Sequence, residues 1–317
     1  MNIGIIGAGA IGGWLAARLA AHHPVSVLAR GHSLQAIQAD GISLVHNGRT
    51  SISRVTASDD AHELSVQDLL ILSVKAQSLA SVAVSAAAMI GPATCVLPLQ
   101  NGVPWWFLGE SEALRSVDPQ GLIAKHIAYD RVLGTVVHAS ASVAAPGVIN
   151  LKVADRLIVG EPSGQQTERL TAIARVLADA GCEVVQSNQI RNDIWYKLWG
   201  NMTLNPISAL TLGLSDQILG DDLLLDFIRA AMSEAQSIGA RIGCPIAQSS
   251  DDRIAVTRKL GSFKTSMLQD LQAGRSLELD ALLGAPREIA ARLAVKTPAM
   301  DILFGLTRAL GRSRGLY

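Results

Sequence analysis

The stretch Met1-Asn-Ile-Gly-Ile-Ile-Gly7-Ala-Gly9-Ala-Ile-Gly12, followed by Trp14-Leu-Ala-Ala-Arg18-Leu19, decides how the chain begins to fold. A short apolar run leads into G-x-G-x-x-G, and the glycines lead into a helical pattern. A buried strand that turns tightly into a helix needs a residue without Cβ where the chain reverses. It needs a second where backbone must approach a pyrophosphate, and a third where helix packs on strand. The helix N-terminus then offers unpaired N–H groups and partial positive charge to phosphate oxygens. The motif alone is weak. Set between a strand and a helix, it predicts a dinucleotide-binding turn, with Gly7, Ala8, Gly9, Ala10, Ile11 and Gly12 as the cofactor contacts.

The next apolar run, Val25-Ser-Val-Leu-Ala29, ends at Arg30. An acidic residue about 20 positions past the glycines would bond the ribose 2′-hydroxyl of NAD. A guanidinium at that place instead binds a 2′-phosphate by donating paired hydrogen bonds to its oxygens. Arg30 therefore predicts NADP(H), the alternative being an exposed arginine at a strand end.

Composition bounds the rest. A chain of 317 residues exceeds one ordinary core and predicts two domains. Lys and Arg number 27 and Asp and Glu number 27, so nothing points to nucleic acid. The 3 cysteines, Cys95, Cys182 and Cys244, show neither metal spacing nor a disulfide framework, which suits a reducing cytoplasm and no metal. No apolar run reads as a membrane span.

Strand and helix signals alternate to about residue 110, as a parallel sheet with crossover helices requires. Asp68-Leu-Leu-Ile-Leu-Ser-Val74 and Cys95-Val-Leu-Pro-Leu-Gln100 read as buried strands, the second weakened by Pro98. They run into Lys75 and Asn101, both candidates for a site at the carboxyl ends of strands. A solvated lysine and a turn asparagine are the plainer alternatives. Residues 110–130 read as a polar insertion, and 131–160 as hairpins at one edge of the sheet. A helix at 166–180 and a strand at 183–185 close a first domain, 1–187. The second, 188–317, reads as all-helical, with segments at 190–204, 217–240, 250–272, 279–294 and 299–312.

In 190–206 the apolar residues Ile194, Trp195, Leu198, Trp199 and Met202 fall on one helical face. Lys197, Asn201 and Asn205 follow at i, i+4 and i+8 along its border, although Pro206 can end the helix at Asn205. One cation and two carboxamides suit a cleft that meets a developing alkoxide. An amphipathic helix with a solvated edge would look the same. Ser266 could hold a carboxylate or hydroxyl and Glu278 a substrate hydroxyl, though helix surface is the plainer reading of both.

These blocks together resemble the ketopantoate reductase (2-dehydropantoate 2-reductase) family. The resemblance runs over nearly the whole chain: the glycine fingerprint, Arg30, Val74-Lys75-Ala76, Gln100-Asn101-Gly102, Ile190-Arg191 through Lys197 to Asn205-Pro206, Ser266-Met-Leu-Gln-Asp270 and Glu278-Leu-Asp280. It implies a Rossmann-type α/β domain with NADPH and a helical domain that reduces a small 2-oxo acid, in pantothenate biosynthesis. It implies Lys197 as general acid at the keto oxygen. Asn201, Asn205, Ser266 and Glu278 would hold substrate, Asn101 would sit between nicotinamide and substrate, and Lys75 would touch cofactor or substrate. The chain departs from the family's pattern at Leu283-Gly284, where asparagine often precedes the glycine, and in the 110–130 stretch, absent from short members. Another 2-oxo acid and a non-catalytic NADP(H) sensor are the rival expectations. No membrane or nucleic-acid partner is expected, and a homodimer is the candidate assembly.

Overall fold

A computed structural model describes residues 1–317, apart from the side chains of residues 154 and 155. The chain divides into two compact units, one of residues 1–100, 108–112 and 120–190, the other of residues 101–107, 113–119 and 191–317.

The first unit opens with β1 (Ile3–Ile6), buried throughout. Gly7 turns out of it at φ +100°, and α1 (Ala10–Leu19) follows. Next come β2 (Val25–Leu28), α2 (Gly31–Asp40), β3 (Ile42–His46), β4 (Arg49–Ser53), β5 (Thr56–Ser58), β6 (Gln67–Leu72), α3 (Leu79–Ala86) and β7 (Ile90–Pro98). Five of these strands form one parallel sheet in the order β5-β2-β1-β6-β7. Ile3, Ile5, Val27, Leu69, Ile71 and Leu97 are fully buried in it, as the apolar runs require. Pro98 is tolerated because β7 is the outer strand of this sheet. The chain order reverses between β1 and β6, and in such sheets ligands bind where the order reverses.

The hairpins of 131–160 do not extend that sheet. After α4 (Leu122–His126), β8 (Gly134–Ala145) and β9 (Val148–Gly160) pair antiparallel across the Gly147 turn. With β3, β4 and β10 (Val184–Ser187) they make a second sheet, in which α5 (Glu168–Asp179) leads to β10. The reason lies in α1, which is apolar on nearly every side. Such a helix must be covered all round. Ile149 of β9 comes within 2.8 Å of where a Cβ on Gly13 would stand, and Ser53 Oγ of β4 donates to Ala17 O at 2.9 Å. The second sheet covers the face of α1 that the parallel sheet leaves open.

The second unit is helical. α6 (Ile190–Thr211) runs on through Pro206 instead of ending before it. Proline removes the helical N–H that would reach Met202 O, and in the turns that follow Ser208 Oγ donates to Asn205 O at 3.0 Å and Thr211 Oγ1 to Ile207 O at 2.8 Å. Burial of Met202, Ile207 and Ala209 holds the remaining turn. The segment expected at 217–240 is two helices, α7 (Ser215–Gly220) and α8 (Asp222–Arg241), because the Asp221 carboxylate caps Leu224 N at 2.9 Å. The one expected at 250–272 is also two, α9 (Ser250–Arg258) and α10 (Ser266–Gln272). Gly261 at φ +71° breaks it, and Thr265 Oγ1 caps Leu268 N at 3.2 Å. A π-helical turn, Asp280–Gly284, then enters α11 (Ala285–Arg292), and α12 (Pro298–Ser313) follows, with Pro298 in its first turn.

The stretch 110–130 is not one insertion. Its residues 113–119 belong to the helical unit, where Glu288 accepts from Arg115 N at 3.0 Å and from Ser116 N at 2.7 Å.

Candidate active site

The first unit carries a cavity of about 370 Å³ lined by the glycine turn (Gly7, Ala8, Gly9), by the end of β2 with Arg30 and Ser33, and by Val74, Ser78 and Ser81 after β6. The three glycines differ in what demands them. Gly7 is held at φ +100°, where side chains are strained. A Cβ on Gly12 would stand 2.1 Å from both Gly7 O and Ser73 Oγ, so α1 can meet the turn only at glycine. Ser73 Oγ also donates to Gly7 O at 2.7 Å and pins the turn to β6.

Gly9 is needed by neither argument. Its φ is −75°, open to any residue, and no protein atom lies within 4 Å of where its Cβ would be. The free space beside Gly9 at the start of α1, which has no acidic residue in its first turn, is the space a phosphate group fits. Arg30 stands exposed at the cavity's edge, at the N-terminus of α2. Ala10, Ile11 and Gly12 form the first turn of α1, and Lys75 follows Val74 in extended backbone.

In the helical unit α6 buries Ile194, Trp195, Leu198, Trp199 and Met202 on one face. The two indoles are fastened to α8, Trp195 Nε1 donating to Ala235 O at 3.2 Å and Trp199 Nε1 to Met232 O at 2.8 Å. That fixes the helix in rotation and sets Lys197 on the border. Lys197 Nζ donates to Asn101 Oδ1 at 2.9 Å. Burial pushes the ammonium down to about 8, against the opposing pull of the Glu278 carboxylate. An ammonium so lowered gives up its proton more readily than an ordinary lysine and still holds it at neutral pH.

Asn101 is presented by a turn that only glycine allows. Gly102 lies at φ +86°, and a Cβ there would stand 2.4 Å from Ala281 O in the π-helical turn. Val103 N donates to the same oxygen at 2.8 Å. Further along α6, Asn205 is buried and its Nδ2 donates to Ser266 Oγ at 3.3 Å, while Asn201, between the two, is partly exposed. Ser208 and Thr265 share a short hydroxyl contact one turn on. This unit thus carries two side-chain pairs along α6, Lys197 with Asn101 and Asn205 with Ser266, and the Glu278 carboxylate acts on Lys197 through its charge.

Two family models match this chain. The one described as ketopantoate reductase PanE/ApbA matches residues 3–164, and its C-terminal counterpart matches residues 189–311. The chain belongs to the ketopantoate reductase family. It is 42% identical to a 2-dehydropantoate 2-reductase of Mesorhizobium japonicum, with 100% of both chains covered. It is 27% identical to one from Archaeoglobus fulgidus, over 98% of this chain and 99% of that one. A solved chain from Ralstonia solanacearum MolK2, assigned to the ketopantoate reductases, superposes with a TM-score of 0.97 at 49% identity, covering 100% of this chain and 99% of its own. The protein is an oxidoreductase, with the Rossmann-type and helical architecture of that family.

Within this ketopantoate reductase family member, Leu283 replaces the asparagine expected before Gly284 and is fully buried in the π-helical turn, so it packs as core. Sequence reading passed over Ser78 and Ser81, whose cavity position follows from the short helical turns after β6 and has no motif. Among the described residues no cluster of His, Cys, Asp and Glu could hold a metal, and no helix is long and apolar enough to cross a membrane.

Proposed function

We propose that the protein reduces 2-dehydropantoate (ketopantoate) to pantoate with NADPH. The observation that carries the reading is Lys197, a half-buried ammonium lowered to about 8 and aimed by Asn101 Oδ1 at 2.9 Å. The family, and the relatives named for this reaction, supply the substrate. NADPH would lie with its phosphates at Gly7, Ala8 and Gly9 and the first turn of α1, its 2′-phosphate at Arg30, with Lys75 and Asn101 as further contacts. It would supply the hydride that reaches the keto carbon. Lys197 would stabilise the oxygen as charge grows on it and donate the proton to it. Asn201, Asn205 and Ser266 would hold the carboxylate and orient the carbonyl, and Glu278 would accept from the substrate's hydroxyl. Residues 1–187, apart from the stretches 101–107 and 113–119 that belong to the helical unit, would serve as the cofactor domain and 188–317 as the domain of substrate and catalysis.

The test is oxidation of NADPH by the purified chain with and without ketopantoate, beside a panel of other 2-oxo acids and with NADH in place of NADPH. Ketopantoate-dependent oxidation with the highest kcat/KM in the panel is expected. Faster turnover of an unhydroxylated 2-oxo acid would overturn the substrate assignment, and a preference for NADH would overturn the cofactor.

A further inference from the structure

Glu278 lies on a short segment whose neighbours are tied down in an unusual way. Leu277 and Leu279 are buried while Glu278 and Asp280 are only partly so, so the two leucines anchor the segment in the core and leave both carboxylates at its edge. At one end Leu277 N donates to Leu316 O at 3.0 Å. At the other, Ala281 O receives Val103 N and meets Gly102. Between them Asp280 Oδ1 accepts from the Tyr317 hydroxyl at 2.8 Å.

Tyr317 is itself seated. Leu316 N donates to Gly311 O at 2.7 Å, and a Cβ on Gly311 would stand 2.7 Å from Tyr317 Cβ, so the glycine makes room for the ring. The Arg312 guanidinium lies 5.8 Å from the ring centroid. Burial, with the Asp280 carboxylate, pushes the phenol up to about 12, so it remains a donor over the whole working range of pH.

We infer that Tyr317 is a positioning residue for substrate recognition, holding Glu278 in register by its hydrogen bond to Asp280. Tyr317 acts through the segment 277–281 and has no part in the chemistry. The inference rests on the reading of Glu278 as the acceptor for the substrate hydroxyl. A bond to the side chain two residues away fixes the backbone on which Glu278 stands, and a carboxylate that wanders by an ångström loses most of a hydrogen bond.

Tyr317→Phe removes one hydroxyl and nothing else, and the full-length variant is the test. With saturating NADPH, KM for ketopantoate should rise about 3–10-fold, the worth of one hydrogen bond. An analogue lacking the hydroxyl should change by less than about twofold. Tm should fall by no more than about 2–4 °C, and NADPH affinity should match wild type. In a Glu278→Ala background, Tyr317→Phe should add nothing, because no carboxylate remains to position. Asp280→Ala should reproduce the Tyr317→Phe penalty, and the double variant should be no worse than Asp280→Ala alone.

Wild-type KM in Tyr317→Phe overturns the inference. So does an equal penalty on both substrates, or one that persists without Glu278. Lys197→Ala separates the levels. If it abolishes turnover while Tyr317→Phe is silent, only the positioning role fails. If it turns over at the wild-type rate, the reading of the site itself fails.

Discussion

The glycine turn of the first unit and the Lys197 face of the second are built on opposite plans. The turn is made of backbone: it needs absent side chains, and its working groups are N–H donors and open space at Gly9. The Lys197 face is made of side chains. Its central contact joins residues 96 apart in the chain, and Asn205 meets Ser266 across 61. A backbone site tolerates little substitution by anything larger, because each Cβ meets main chain or ligand. A side-chain site loses function group by group, because each group is worth only its own hydrogen bond or charge.

The sharpest way to break this contrast is to remove the group proposed to donate the proton. Lys197→Ala should lower kcat by about 10²–10⁴-fold while leaving NADPH affinity unchanged in a binding titration. In the wild type kcat should fall as pH rises through about 8, since the proposed donor, the Lys197 ammonium, acts in its charged form and burial has lowered it from 10.5. A flat kcat profile to pH 10 would place the proton elsewhere.

The glycines test the other half. Gly12→Ala puts a Cβ 2.1 Å from Gly7 O and should cost about 1–3 kcal/mol of stability by denaturant unfolding. Gly9→Ala meets no protein atom and should leave unfolding within about 0.5 kcal/mol of wild type, yet still weaken NADPH. Equal stability losses in the two variants would show that the space beside Gly9 is not open, and unchanged NADPH affinity in Gly9→Ala would show that it is not reserved for a ligand. Arg30→Ala should weaken NADPH by about 1.5–3 kcal/mol and NADH far less, measured as the two dissociation constants. Asn205→Ala, which removes one neutral bond, should cost about 0.5–1.5 kcal/mol in kcat/KM, most of it in KM.

The same contrast explains what could be read in advance. The glycine turn is local: spacing over six residues states its geometry, and the helical face of α6 is equally local in its period of Trp195, Leu198, Trp199 and Met202. The pairing of Lys197 with Asn101 is a tertiary event, and no periodicity announces it; the family resemblance implied one site for both but not their hydrogen bond. The second sheet escaped notice because strands that will leave the first sheet and strands that will extend it have the same alternation. The breaks at Asp221 and Gly261 were missed for a different reason. A single capping side chain outweighs an amphipathic pattern that continues across it.

The lowered ammonium of Lys197 has a consequence for the fold as well as for the reaction. Between about 8 and 10.5 the unfolded chain binds a proton there that the folded chain has released, so stability rises with pH across that window while turnover falls. Below it, the folded molecule carries a charge it would be better off without, at a cost on the order of 3 kcal/mol for a shift of that size. Lys197→Met should therefore unfold at a higher temperature than wild type at pH 7, and the difference should shrink as pH approaches 10. The folded protein is held below its attainable stability by the residue proposed as its proton donor.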